Sequence, residues 1–207
     1  MLLSTQTHTL GYRLSEEQSV RILCETGYDA LDYSMFFMHD ADNVLNRDGY
    51  KDYVLNLKKI ASDYGVPFNQ AHAPFPSCKE NDPDYNKITF TRLVRSLEIA
   101  GLLGVRNIIV HPVSIADKDR QKDYNLDLYN RMRPYCEEYG VKVALENMWG
   151  WNAAEKRIVP NVCSLAAELA DYIDALDSRF FTVCLDIGHC GLVGESAADA
   201  IRILGGK

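Results

Sequence analysis

Five side chains that could bind a metal or transfer a proton each follow a short apolar run of the sequence. Three are imidazoles and two are carboxylates: His72, His111, Glu146, Asp186 and His189. Imidazole nitrogens and carboxylate oxygens bind divalent cations and act as general acids or bases. A side chain at the C-terminal end of a buried parallel strand points toward the cavity that such ends share, so we expect all five at one site.

The elements that must position these residues alternate along the chain. Apolar runs typical of buried strands are separated by segments of helical periodicity, and glycines follow several of those segments. The predicted strands are residues 2–5, 30–36, 66–71, 107–110, 141–145 and 181–185. The predicted helices are a segment that starts at Ser15 and stops at Gly27, then 49–64, 85–103, 124–139, 163–176 and 195–204.

This order of elements predicts a parallel sheet, because strands joined through helices run parallel. The chain lacks a G-x-G-x-x-G loop after its first strand, and polar residues end several successive strands. Both features favour the (β/α)8 TIM barrel over an open doubly wound sheet. A complete barrel takes about 250 residues, and this chain has 207. We therefore predict a single domain over residues 1–207, an incomplete barrel of about six βα units without the last two.

The amino-acid composition limits the kinds of ligand and cellular compartment that we expect for this chain. Lys and Arg total 22 against 29 Asp and Glu, for a net charge of −7, which makes nucleic acid an unfavourable ligand. No segment reaches the roughly 18 to 20 apolar residues of a membrane span, and the N-terminus lacks the features of an export signal. The six cysteines show no C-x-x-C spacing, which predicts reduced thiols in a cytoplasmic protein.

Each candidate has a structural alternative. His72 and His111 are followed by prolines, which end a strand and place the imidazole at a loop mouth, but a histidine there can also be an ordinary hydrogen-bonding residue. Glu146 closes an apolar run, where a carboxylate is costly to bury unless it binds a cation, is hydrogen-bonded or pairs with Arg or Lys. Asp186 and His189 share one turn in the sequence Asp-Ile-Gly-His.

Aromatic and further histidine residues complete the candidates. Trp149 and Trp151 flank a glycine just after Glu146, where they could stack on the apolar face of a sugar or pack the loop. His8 could reach the same rim, whereas His39 is expected in a loop.

In this order the motifs resemble the xylose isomerase-like barrel superfamily of sugar phosphate isomerases and epimerases, which also contains the endonuclease IV type of abasic-site nuclease. The resemblance rests on Gln-Ala-His-Ala-Pro, Val-His-Pro, Ala-Leu-Glu-Asn and Leu-Asp-Ile-Gly-His, which end at residues 74, 112, 147 and 189. It covers six of the eight units of the fold.

The isomerase and epimerase branch implies one divalent cation, Mn2+, Mg2+ or Co2+, bound by Glu146, Asp186 and two ligands from the absent units. The implied reaction on a small sugar passes through an enediolate. By this resemblance Glu146 belongs to the pair that transfers the proton, and His189 contacts the substrate. We expect Trp149 to contact the substrate as well, by stacking on the sugar.

Two other functions remain open. The nuclease branch implies several Zn2+ ions held by all five residues, including His72 and His111, although the net charge disfavours DNA. The third is an inactive truncated barrel that acts as a binding or assembly module, with a homo-oligomer covering its open edges. Of the explanations for the short length (a fragment, mutual completion by two copies, or a degenerate product), we favour a fragment of a longer protein.

Overall fold

The computed structural model describes residues 2–207. Its main sheet consists of six parallel strands that pair in chain order: β1 (Ser4–Gln6), β2 (Ala30–Ser34), β3 (Phe68–His72), β4 (Asn107–Ile109), β5 (Lys142–Glu146) and β8 (Phe181–Cys184). A separate antiparallel hairpin is formed by β6 (Trp149–Asn152) and β7 (Arg157–Pro160). Within the described residues β1 and β8 each have one neighbour, so the sheet does not close. The TIM-barrel fold class is confirmed, as an open six-stranded part of the barrel.

Helices connect the parallel strands. They are α1 (His8–Gly11), α2 (Glu16–Glu25), α3 (Tyr50–Asp63), α4 (Pro83–Leu103), α5 (Lys118–Tyr139), α6 (Ala166–Asp174), α7 (Ile187–Val193) and α8 (Ala197–Leu204). Capping residues determine where several of these helices begin and end. Ser15 and Gln18 form a capping box at the start of α2, and Gly104 ends α4 in a left-handed conformation. No helix within residues 2–207 is both long enough and apolar enough to span a membrane.

The register of the sheet brings the strand ends level with one another. Ser34 pairs with His72, the last residue of β3, and Glu146 pairs with Cys184 at the ends of β5 and β8. The strand interiors are buried, with Leu31 and Ile108 fully inaccessible, as expected of a sheet covered on both faces. The polar groups that follow the strands therefore meet at one edge of this sheet.

Two elements at the β5–β8 end of this edge were not predicted. The β6–β7 hairpin lies where the sequence suggested a loop, and its two tryptophans are on the exposed side. Helix α7 begins directly after Asp186, where only a turn was expected. Both elements are short, and neither has an apolar period long enough to identify it.

We predict that Gly101→Ala destabilises the chain by about 1–3 kcal/mol, because a Cβ at this position would lie 2.7 Å from the carbonyl oxygen of Tyr139 on α5. The control is Gly191→Ala in α7, where a Cβ meets no atom within 4 Å. That change should stabilise the chain by about 0.5–1 kcal/mol. Urea unfolding of both variants measures the difference, and equal midpoints would contradict the close approach of α4 and α5.

Candidate metal centre

One group of three ligands lies at the ends of β3, β4 and β5. Ligand atoms of His72, His111 and Glu146 all lie within 4.8 Å of one another, and the three residues are only 5–8% exposed. His72 and Glu146 are the last residues of their strands, and His111 follows β4 by two residues. The ends of three neighbouring buried strands thus bring three potential ligands close together.

The contact between His111 and Glu146 is close but is not a hydrogen bond. His111 Nε2 lies 2.9 Å from Glu146 Oε2, yet Glu146 Oε2 has no hydrogen-bond partner, and neither has His111 Nδ1. Ser34 Oγ, at the neighbouring end of β2, is also buried without a partner. Buried polar atoms without partners are costly, so their concentration here indicates a bound group that would satisfy them.

A second group of three shares the same carboxylate. Ligand atoms of Glu146, Asp186 and His189 lie within 4.8 Å of one another. Glu146 Oε1 is 3.7 Å from His189 Nδ1, and Asp186 Oδ2 is 3.7 Å from His189 Nε2. Glu146 therefore lies between the two groups, with Oε2 toward His111 and Oε1 toward His189.

Asn147 holds the second group in place, a role that the sequence analysis missed. Its side chain is fully buried, its Nδ2 donates to the Asp186 carbonyl at 2.9 Å, and its Oδ1 accepts from the Asp186 amide at 2.7 Å. Its own carbonyl oxygen lies 2.7 Å from His189 Nδ1. A carbonyl only accepts, so His189 carries its proton on Nδ1 and offers Nε2 as a lone pair.

Asp32, in the middle of β2, was also missed. It is 7% exposed, and its carboxylate contacts His72 Nδ1 at 2.9 Å and accepts a hydrogen bond from Gln70 Nε2 at 2.8 Å. The signal available in the sequence was a carboxylate inside the predicted strand 30–36, where an unpaired charge is unfavourable. Its partner could not be identified without the pairing of β2 with β3.

Aromatic rings surround the two groups. Trp149 is 38% exposed and packs edge-on against His189, with ring centroids 6.4 Å apart. Phe36 lies 5.5 Å from the His72 ring, and Phe75 lies 4.9 Å from the His111 ring. His8 is stacked on Phe37, and burial together with the neighbouring His72 lowers its pKa. It therefore belongs to the wall of the site.

The two remaining candidates lie outside the two groups. Trp151 is 59% exposed on the hairpin. His39 ends a short 3-10 helix, where its Nδ1 bonds the Phe36 carbonyl. These positions agree with the expected loop histidine and show that only one of the two tryptophans faces the cluster.

The residues present fit a divalent cation. Burial and the carboxylates of Glu146, Asp32 and Asp186 together raise the pKa of the Cys184 thiol to about 12, so several negative charges act on the same interior. A cation would relieve this repulsion and satisfy the buried atoms without partners. Three imidazoles among the donors favour Mn2+, Co2+ or Zn2+ over Mg2+, which prefers oxygen ligands.

Fold and site together define a parallel α/β barrel-type protein with a metal-ligand cluster at the C-terminal edge of its sheet. A sequence model of the xylose isomerase-like TIM barrel family matches residues 20–207, and the chain belongs to that family. No curated protein sequence matches the chain significantly.

Solved structures with this fold include several sugar epimerases. A D-tagatose 3-epimerase-like protein is 20% identical, with a TM-score of 0.76 over 99% of this chain and 71% of that one. A D-psicose 3-epimerase from Clostridium cellulolyticum H10 is 18% identical, with a TM-score of 0.74 over 99% and 70%. The IOLI protein, solved with a zinc atom, is 16% identical, with a TM-score of 0.69 over 98% and 68%. At these identities the likeness shows the fold.

We predict that Glu146→Gln weakens binding of Mn2+ and Zn2+ by about 10–100-fold or more, because the variant removes the one carboxylate common to both groups. The unfolding free energy of the metal-free chain should stay the same or rise, since a buried carboxylate with an unpartnered oxygen becomes neutral. Titration calorimetry and urea unfolding measure the two effects.

The matched control is Glu155→Gln on the exposed hairpin, which should change neither quantity. Unchanged metal affinity in Glu146→Gln would show that the cluster is not a cation site.

Proposed function

We propose that the chain is a metal-dependent sugar or sugar-phosphate isomerase or epimerase that acts through an enediolate. The observation that carries this proposal is the buried Glu146 carboxylate, which lies beside Asp186 and His189 at the rim where barrel enzymes place their active sites. The structural neighbours described above include sugar 3-epimerases, which supports a small sugar as the substrate.

In this proposal Glu146 and Asp186 hold the cation, with His72 and His111 as further ligands of the cluster. A bound divalent cation would act as a Lewis acid that polarises the substrate carbonyl and acidifies the adjacent C–H bond. This role requires an oxygen-binding cation within reach of the rim, and Asp186 is the most exposed of the acidic ligands, with 37% of its side chain accessible.

Side chains of this chain transfer the proton and bind the substrate. Glu146 Oε1, on the side of His189, takes the proton from the carbon next to the carbonyl. In an isomerisation it returns that proton to the neighbouring carbon, whereas an epimerisation requires the second member of the pair to donate a proton from the opposite face. His189 Nε2, unprotonated because Nδ1 faces the Asn147 carbonyl, accepts a hydrogen bond from a substrate hydroxyl. Trp149 covers the apolar face of the sugar from the hairpin side.

With Mn2+ or Co2+ present, we expect the chain to exchange a carbon-bound proton of a ketose with deuterium from solvent. Glu146→Gln should lower the exchange rate by about 100-fold to 10,000-fold, the usual contribution of a positioned base. Proton NMR of a panel of ketoses and ketose phosphates measures the exchange, with Glu155→Gln as the control. If no substrate exchanges, the chain is better described as an inactive barrel that serves as a binding or assembly module.

A second candidate function, abasic-site cleavage, is favoured by one observation. His72 and His111 lie with Glu146 in a buried group that a single-cation isomerase does not require. Such a group could hold a second cation next to the first, as in a two-metal hydrolytic site. The net charge of −7 opposes DNA binding.

The two functions predict different results for His111→Gln. In a nuclease the variant removes a metal ligand, so cleavage of an abasic oligonucleotide should fall at least as steeply as in Glu146→Gln. In the proposed isomerase His111 is a further ligand and not the base, so with saturating Mn2+ proton exchange should change less than about tenfold, unlike in Glu146→Gln, which also loses the base. Absence of cleavage with Zn2+ in the wild-type chain removes the nuclease.

The proposal includes a cytoplasmic setting in carbohydrate metabolism. All six cysteines are free thiols, which is consistent with a reducing compartment. Self-association that covers the unpaired edges of β1 and β8 is a further prediction, because exposed strand edges favour pairing.

A further inference from the structure

The buried carboxylate of Asp32 has an unusual set of partners. It accepts hydrogen bonds from the imidazole of His72 and the amide of Gln70. Among the described residues, His72 is also its ion-pair partner. A carboxylate with 7% exposure and no Lys or Arg contact is unfavourable for stability unless its position serves another purpose.

Two groups compete for the same nitrogen of His72. Nδ1 lies 2.9 Å from both carboxylate oxygens of Asp32 and 3.2 Å from Gln6 Nε2. The carboxylate can only accept, so it requires a proton on Nδ1, whereas an amide nitrogen would donate to a lone pair there. The carboxylate is nearer and charged, and a lone pair facing it would be repelled. A half-turn of the Gln6 amide exchanges its nitrogen and oxygen and makes both contacts compatible with a protonated Nδ1.

The consequence is a defined metal-facing nitrogen. With Nδ1 protonated toward β2, Nε2 of His72 keeps its lone pair and is the nitrogen available to a cation shared with His111 and Glu146. A carboxylate behind a ligating imidazole fixes the tautomer and the ring orientation and increases the basicity of the ligand. Gln70 in turn donates to Asp32 Oδ2 at 2.8 Å, so the carboxylate that supports the imidazole is itself held by a hydrogen bond.

We infer that Asp32 is a positioning residue that sets the Nδ1–H tautomer of His72 and so prepares Nε2 as a metal ligand. The metal-binding part of this inference rests on the proposed function. The tautomer does not, because it follows from contacts within the metal-free chain.

The test is a long-range proton–nitrogen correlation NMR spectrum of the metal-free chain labelled with 15N-histidine, with the His72 signals assigned from their loss in His72→Gln. In the wild type we expect Nδ1 protonated and Nε2 unprotonated. His189 provides an internal reference, since the Asn147 carbonyl requires the same tautomer there.

Asp32→Asn keeps the shape of the side chain and removes the charge. A carbonyl at the Oδ2 position would have to accept from both Gln70 Nε2 and His72 Nδ1, and it carries no charge, so the His72 tautomer should shift toward a proton on Nε2. Zn2+ affinity, measured by calorimetry, should fall about 10–100-fold. The control is Asp29→Asn, just before the same strand, whose exposed carboxylate accepts from the Leu3 amide. It should alter neither the His72 spectrum nor the affinity.

A wild-type spectrum with the proton on Nε2 would overturn the inference, and so would an Asp32→Asn variant with unchanged His72 shifts and unchanged Zn2+ affinity. The wild-type spectrum decides the tautomer even if the variant fails to fold. Failure of the proposed function gives a different result. The chain would then exchange no proton on any ketose, but the NMR spectrum would still show the proton of His72 on Nδ1.

Discussion

The site depends on the burial of one carboxylate. Glu146 ends β5 in the interior of the sheet, where an ionised group costs several kcal/mol to desolvate even after relaxation. Neither Lys nor Arg pairs with it among the described residues, and the nearest ionisable neighbours are His111 and His189. A fold selected only for stability would place an apolar residue here, so the retained charge indicates a cationic ligand or a proton-transfer role.

The surroundings of Glu146 are rigid in a way that suits this role. The parallel strands fix the backbone of each ligand, and the ligands are supported from behind by groups that do not themselves enter the site. Asn147 clamps the backbone of Asp186 and orients His189, while Asp32 holds His72. Side chains held through hydrogen bonds of this kind lose little entropy when a cation or substrate binds, which increases the affinity for either.

Much of this arrangement could be predicted from the sequence, because it depends on local patterns. Apolar runs between helical segments predicted all six parallel strands, and the polar residues that end them identified Glu146 and its neighbours. The supporting residues could not be identified in this way. Asp32 becomes meaningful only once β2 pairs with β3 in a register that puts Ser34 beside His72. Asn147 acts across the 39 residues that separate it from Asp186. Such contacts are set by tertiary pairing and leave no local period.

The two sides of the cluster differ in solvent exposure, and this difference separates two roles within it. The side chains of His72 and His111 are 11% and 10% exposed, those of His189 and Asp186 are 20% and 37% exposed, and Glu146 between them is 7% exposed. Charge interactions are stronger where water is excluded, so a cation on the His72 and His111 side would be held most firmly. In the proposed enzyme, the more exposed Asp186 side is where a polar substrate would enter. Because the accessible side adjoins the unpaired edge of β8, any strand that pairs there in parallel would bring its own C-terminal residue to the substrate side of Glu146. Pairing at that edge would therefore change access and substrate contacts more than it changes the buried ligands.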